Sequence, residues 1–179
     1  EISRGLVVSE MCIRDSFNRA RLIKNSKNRI PYGVDLIQKY KRESWIVFTE
    51  NKKQAKEFNK IINTKGFKSA LYNTDLDSTE RLENLNKFKK ADLNVLVTCT
   101  ALDEGFDMPE ADGALILSAS SSKRQRVQRM GRVLRITENK PNALIVTVYS
   151  SKTEFDKLME EAKRYHKEGV PVSWKRQDR

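Results

Sequence analysis

Apolar positions along the chain come in two alternating textures. Short unbroken runs, WIVFT at 45–49, NVLVT at 94–98, ALILS at 114–118 and the stretch 143–149, are the length and composition of buried strands. Residues 70–72 add a further short strand. Between these runs the apolar positions recur every three or four residues. Residues 53–64 place Ala55, Phe58, Ile61 and Ile62 on one helical face, and Gly66 supplies the stop. Asp77 is positioned to cap the next helix, with Glu80 at the capping-box position and Leu82, Leu85 and Phe88 as its core face. A helix is expected across 123–135, and Phe155, Leu158, Met159, Ala162 and Tyr165 mark a final amphipathic helix. Upstream, residues 17–27 read as a basic helical segment, and Pro31 opens a helix running to about Arg42.

Strands that are apolar on both faces and separated by helices predict an α/β fold. The sheet should be mainly parallel, linked by right-handed crossovers and covered by helices on both faces. The sequence holds no internal repeat and no low-complexity segment. The expected organisation is a helical lead-in over 17–43, one α/β domain over 44–168 and a basic tail over 169–179. Residues 1–16 stand apart. The chain begins at Glu1, and LVVSEMCIRDS at 6–16 has no strand or helix period. It resembles translated sequencing-adapter read-through, the alternative being a short LVV strand and a loop. It is expected to be an artefact or disordered, and the chain a fragment.

Composition narrows the chemistry. At 179 residues, 38% hydrophobic and 33% charged, the chain can bury one ordinary core. No run approaches a membrane span and no signal peptide is evident, which predicts a cytoplasmic or nucleoid-associated protein. Cys12 and Cys99 with the single histidine, His166, are too few for a disulfide framework or a zinc site, so no metal site is expected. Trp45 reads as core. Trp174 reads as packing or as a base-stacking ring, and His166 as a solvated or capping residue. Lys and Arg total 35 against 24 acids, a net charge of +11, which favours a polyanionic partner.

In such sheets ligands bind beyond the carboxyl ends of the strands. Three segments reach that edge: 49–51, 98–109 and 123–135. In the last, Lys123, Arg124, Arg126, Arg129, Arg132 and Arg135 put six cations into 13 residues without one acid. Arg129, Arg132 and Arg135 recur every third residue, so on a helix they can converge on one anion, and arginine suits bidentate contact to phosphate oxygens. Gly131 lets a backbone or phosphate come close. A solvated basic helix that touches any polyanion is the alternative reading of the same charges. In the loop after the NVLVT strand, Gly105 suits a tight turn, Asp107 can accept from a ribose hydroxyl, and Thr98 and Thr100 offer hydroxyls to a phosphate. Taken alone, such a loop is equally an ordinary strand-to-helix connection.

Together these segments resemble the C-terminal RecA-like domain of superfamily 2 helicases. QRVQRMGRVLR, with Gln128, Arg129, Gly131, Arg132 and Arg135, looks like motif VI, Q-R-x-G-R-x-x-R. TALDEGFDMPEAD looks like motif V, with Gly105 and Asp107 at its signature positions. WIVFTENKKQAKEF looks like motif IV, a strand and then a helix whose start faces nucleic acid. YNTDLDSTERLENLNKF looks like the segment that follows, with Arg81 at its arginine position. The likeness covers roughly 30–150. Departures are Asn73-Thr74 in place of His-Gly, Cys99 in place of the motif V threonine, with Thr98 or Thr100 left to supply that hydroxyl, and Gln128 in place of a histidine. With DEGFDMPEAD, that glutamine leans toward the DNA-repair and restriction-type branch, hence DNA over RNA.

The resemblance implies a three-layer RecA-like domain acting in an ATP-dependent helicase. ATP and Mg²⁺ would bind between this domain and an N-terminal RecA-like partner of the same protein, which carries the phosphate loop and the Mg²⁺ acids. Arg132 and Arg135 would be arginine fingers, with Gly105, Asp107, Gln128 and Arg129 at the nucleotide. Thr49, Arg81, Thr98, Cys99 and Thr100 would hold the nucleic-acid backbone. Neither GxxxxGKS nor GxxxxGKT occurs, and KGFKS at 65–69 has the wrong order. The chain alone is therefore expected not to hydrolyse ATP. The other readings are a stand-alone nucleic-acid-binding module and a regulator that lends arginines to another ATPase.

Overall fold

The computed structural model describes residues 28–99, 110–117, 144–167 and 171–173. The elements among them run α1 (Arg29–Tyr40), β1 (Trp45–Thr49), α2 (Lys52–Thr64), β2 (Ser69–Tyr72), α3 (Ser78–Lys89), β3 (Val95–Cys99), β4 (Gly113–Ile116), β5 (Leu144–Thr147) and α4 (Lys152–Lys167). The strands form one five-stranded sheet in the order β2-β3-β1-β4-β5, and every adjacent pair is parallel.

Side-chain alternation sorts the strands between two cores. Trp45, Val47, Val95, Val97, Cys99 and Leu115 face α1 and α2, where Val34, Ile37, Phe58 and Ile62 cover them. On the other face Ile46, Phe48, Tyr72, Leu96 and Ile116 meet Leu85 and Phe88 of α3. β1, β3 and β4 are buried along their whole length, which is why their sequences are apolar runs without alternation.

Local chemistry explains most boundaries. The Asn51 side chain accepts from the Gln54 N–H at 2.9 Å and starts α2 one residue before the expected position. Gly66 takes a φ of +86° just past the end of that helix, a conformation open to glycine at little cost. Asp77 Oδ1 accepts from the Glu80 N–H at 2.7 Å, the expected cap of α3. α1 begins two residues before Pro31, which sits in the first turn, where its missing N–H is no loss. β4 begins at Gly113 rather than Ala114. A β-carbon at Gly113 would lie 2.6 Å from the Trp45 ring, its register partner, so only glycine fits this strand start. One core expectation fails: Leu82 is 57% exposed, because α3 rests on the sheet through Leu85 and Phe88 and turns Leu82 outward. The helices expected over 17–27 and 123–135 lie outside the described residues.

Candidate nucleic-acid interface

The carboxyl ends of β1, β2 and β3 lie side by side. Thr49 is the register partner of Cys99, Phe48 of Thr98, and Tyr72 of Thr98. The Thr49 hydroxyl donates to the Thr98 carbonyl at 3.0 Å and to the Asn51 carbonyl at 3.3 Å, lacing the end of β1 to β3 and to the start of α2. Thr98 and Cys99 are 1% and 2% exposed and point to opposite faces, Cys99 toward α1 and α2 and Thr98 toward α3. The Thr98 hydroxyl has no hydrogen-bond partner among the described residues, and neither does the Asn73 side-chain amide nitrogen just beyond β2. Two buried polar groups left unmade at one sheet edge are uncommon in a folded domain.

Two helix starts flank this edge. At α2, the reciprocal bonds Gln54 N–H to Asn51 Oδ1 and Glu50 N–H to Gln54 Oε1, each 2.9 Å, fix the first turn. That turn presents Lys52, and Lys56 follows one turn later. Across from them, the chain leaving β2 turns tightly, with the Asp75 N–H donating to Asn73 Oδ1 at 3.0 Å. This turn brings the Asp75 carboxylate onto both lysines: Oδ1 pairs with Lys52, and Oδ2 lies 2.9 Å from Lys56. The ammonium groups of Lys52 and then Lys56 hold the Asp75 carboxyl below its ordinary range. Sequence reasoning missed this cluster. The i,i+4 spacing of the lysines was legible, but their meeting with Asp75 depends on how α2 and β2 are placed.

Arg81 lies in the first turn of α3 and donates through Nε to the Asp77 carbonyl at 3.4 Å. Its charge also reaches Tyr72: burial pushes the Tyr72 hydroxyl up from its ordinary value, and the Arg81 guanidinium opposes that rise. The structure thus brings Thr49, Thr98, Cys99 and Arg81 to one edge of the sheet. Thr100, Gly105, Asp107, Gln128, Arg129, Arg132 and Arg135 lie outside the described residues.

A second cluster closes the same edge at β4 and β5. Arg29, 2% exposed, donates Nη1 to the carbonyls of Leu117 at 2.7 Å and Val148 at 3.1 Å. Its Nη2 donates to Ser150 Oγ at 2.6 Å and to Glu154 Oε2 at 2.5 Å. One guanidinium therefore joins α1, the ends of two strands and α4. Among the described residues no group of three His, Cys, Asp or Glu side chains could hold a metal ion, and no helix is long and apolar enough to cross a membrane.

An all-parallel sheet with helices on both faces and polar groups gathered at the strand ends defines a doubly wound α/β domain with its candidate site at the carboxyl edge. The fold matches the C-terminal domain of the DEAD-box protein Dbp5 with a TM-score of 0.69, 21% identity and coverage of 81% of this chain and 82% of that one. The helicase domain of Pyrococcus furiosus Hef aligns with a TM-score of 0.57, 23% identity and coverage of 75% and 28%. The family model of the helicase conserved C-terminal domain matches residues 28–137, and the chain belongs to this family, as the C-terminal domain of a superfamily 2 helicase. Among curated relatives, the DNA 3′-5′ translocase XPB2 of Sulfurisphaera tokodaii is 36% identical over 129 residues, which is 72% of this chain and 28% of that protein. The UvrABC system protein B of Fusobacterium nucleatum is 31% identical over 125 residues, 66% of this chain and 19% of that protein. The ATP-dependent rRNA helicase RRP3 of Scheffersomyces stipitis is 23% identical over 82% of this chain and 30% of that protein. The chain thus spans less than a third of the length of these relatives.

Proposed function

We propose that this chain is the C-terminal motor half of an ATP-dependent nucleic-acid helicase or translocase that works with an N-terminal RecA-like domain. The observation that carries this reading is the family match over 28–137, which spans both the sheet edge bearing Thr49, Thr98 and Cys99 and the arginine segment with Arg129, Arg132 and Arg135. Bound ATP supplies the phosphoanhydride bond whose cleavage drives the cycle, with Mg²⁺ held by acids of the N-terminal domain. The residues of this chain orient and neutralise. Asp107, two residues after Gly105, would accept from the ribose, and Gln128 and Arg129 would adjoin the nucleotide. Arg132 and Arg135 meet the negative charge that builds on the γ-phosphoryl oxygens, a contribution of about 10³ to 10⁵ in rate where such a guanidinium is positioned.

On the nucleic-acid side Arg81 and Thr100 would meet the strand, while Thr49, Thr98 and Cys99, whose side chains are buried, shape the sheet edge behind them. The contacts are to phosphates, so binding tolerates any sequence and weakens steeply with salt. DNA is the favoured strand, supported by the 36% identity to a protein named as a DNA translocase against 23% to an rRNA helicase.

The test joins the chain to the N-terminal RecA-like domain of a superfamily 2 relative and measures ATP turnover with and without DNA. Stimulated turnover is expected in the joined protein and none in the chain alone. Arg132→Ala or Arg135→Ala should lower turnover by about 10³ or more while binding to DNA persists. Normal turnover in both variants would remove the finger assignment. Salt-sensitive binding with no turnover in the joined protein would leave a binding module.

A further inference from the structure

The Lys52, Lys56 and Asp75 cluster does something the motor reading leaves unexplained. Lys52 and Lys56 stand on successive turns of α2, with side chains 47% and 58% exposed, and both ammonium groups converge on one carboxylate. Each oxygen of Asp75 takes one lysine. Two cations spaced to grip the two oxygens of a carboxylate are also spaced to grip the two non-bridging oxygens of a phosphodiester. The pairing belongs to a sheet edge where the neighbouring Asn73 amide nitrogen is buried and unmade among the described residues.

We propose that Asp75 is an internal competitor. Lys52 and Lys56 form a phosphate subsite that the Asp75 carboxylate fills in the free chain, and a nucleic-acid phosphate enters by displacing it. The inference rests on the nucleic-acid reading above and adds a regulator of its affinity. Displacement is easy because ion pairs this exposed are weak and screened by salt. The carboxylate is also the only part that has to move: the backbone of the turn is held separately by the Asp75 N–H to Asn73 bond and by the Leu76 N–H to Asn73 carbonyl bond at 3.4 Å. A side-chain rotation releases both lysines without unfolding the turn.

The experiment measures binding of the full chain to a fluorescein-labelled single-stranded oligonucleotide over a range of salt concentrations. Asp75→Asn removes the competing charge and is expected to tighten binding roughly 3- to 10-fold at low salt. The gain should shrink as salt rises, because salt already screens the Asp75 pairs of the parent. Lys52→Gln together with Lys56→Gln, placed in the Asp75→Asn background, should abolish the gain. Glu83→Gln removes the same charge from another exposed pair, Glu83 with Lys87 at 2.6 Å on α3. It should leave affinity near that of the parent.

Three results overturn the competitor: unchanged affinity in Asp75→Asn, an equal gain in Glu83→Gln, or a gain that survives loss of both lysines. Asp75→Ala, followed by circular dichroism, repeats the test if the asparagine variant misfolds. A parent chain that binds no oligonucleotide at any salt brings down the nucleic-acid reading itself. A parent that binds, with Asp75→Asn indistinguishable from it, brings down the competitor alone.

Discussion

Two ion-pair clusters sit at the same sheet edge and differ in nearly every physical respect. Arg29 and Glu154 are 2% and 7% exposed, and the partners of Arg29 include two backbone carbonyls that mark the ends of β4 and β5. Asp75 with Lys52 and Lys56 is solvent-facing and made of side chains alone. Burial decides what each can do. Once two charges have lost their water, neither can be left without the other, so the Arg29 cluster is a fixed joint. In solvent, water or a competing anion replaces the partner at little expense, so the Asp75 cluster can exchange.

The difference can be broken from its stronger side first. Glu154→Ala leaves a buried guanidinium without its carboxylate and is expected to lower stability by about 3–5 kcal/mol, read from urea unfolding. A loss below about 1 kcal/mol would place the Arg29 joint in the same class as the surface pair.

A smaller effect sharpens the point. Replacing both partners, Arg29→Met with Glu154→Leu, removes the stranded charge but also orphans the Leu117 and Val148 carbonyls. Stability should recover only in part, with about 1–3 kcal/mol still missing. Full recovery would show that the carbonyls find water and that the guanidinium is not needed to join the strand ends.

The smallest effect belongs to Asp75. With its folded value depressed by the lysines, its contribution is present above the ordinary carboxyl value of 3.8 and lost as pH falls through the lower folded value. A carboxyl NMR titration should find the Asp75 midpoint below 3.8 in the parent chain, moving up toward it in Lys52→Gln/Lys56→Gln and at high salt. A midpoint that ignores both changes would mean the lysines are not what holds the carboxylate.

Much of this was legible in the residues. WIVFT at 45–49 is a strand buried along its whole length, and it forms β1 with the same limits, because so short an apolar run rich in β-branched and aromatic residues suits a strand buried on both faces of a sheet. The cap at Asp77 and the stop at Gly66 are local chemistry, decided within four residues; the Asn51 cap is equally local but was not read, and it starts α2 at Lys52 rather than Lys53. Leu82 misled because helical spacing tells which residues share a stripe, not how wide a stripe the sheet will cover. Gly113 misled in the other sense. Glycine is a poor strand former, and only the Trp45 ring on the adjacent strand explains its place in β4. At the candidate site, Thr49 and Thr98 could be assigned to strand ends from the pattern, whereas Cys99 was read into the loop but ends β3, and Asn73 gave no sign that it would be buried with an unmade amide.

By itself the sequence determined the α/β class, the alternation of elements and the motif likeness that points to a helicase C-terminal domain, since all of these depend on contiguous residues. Only the tertiary structure decided that Arg29 would meet Glu154 across 125 positions and that Asp75 would reach back to lysines 23 and 19 positions earlier. Charge pairing is set by distance in space, and the order β2-β3-β1-β4-β5 folds distant residues together in a way no local pattern encodes.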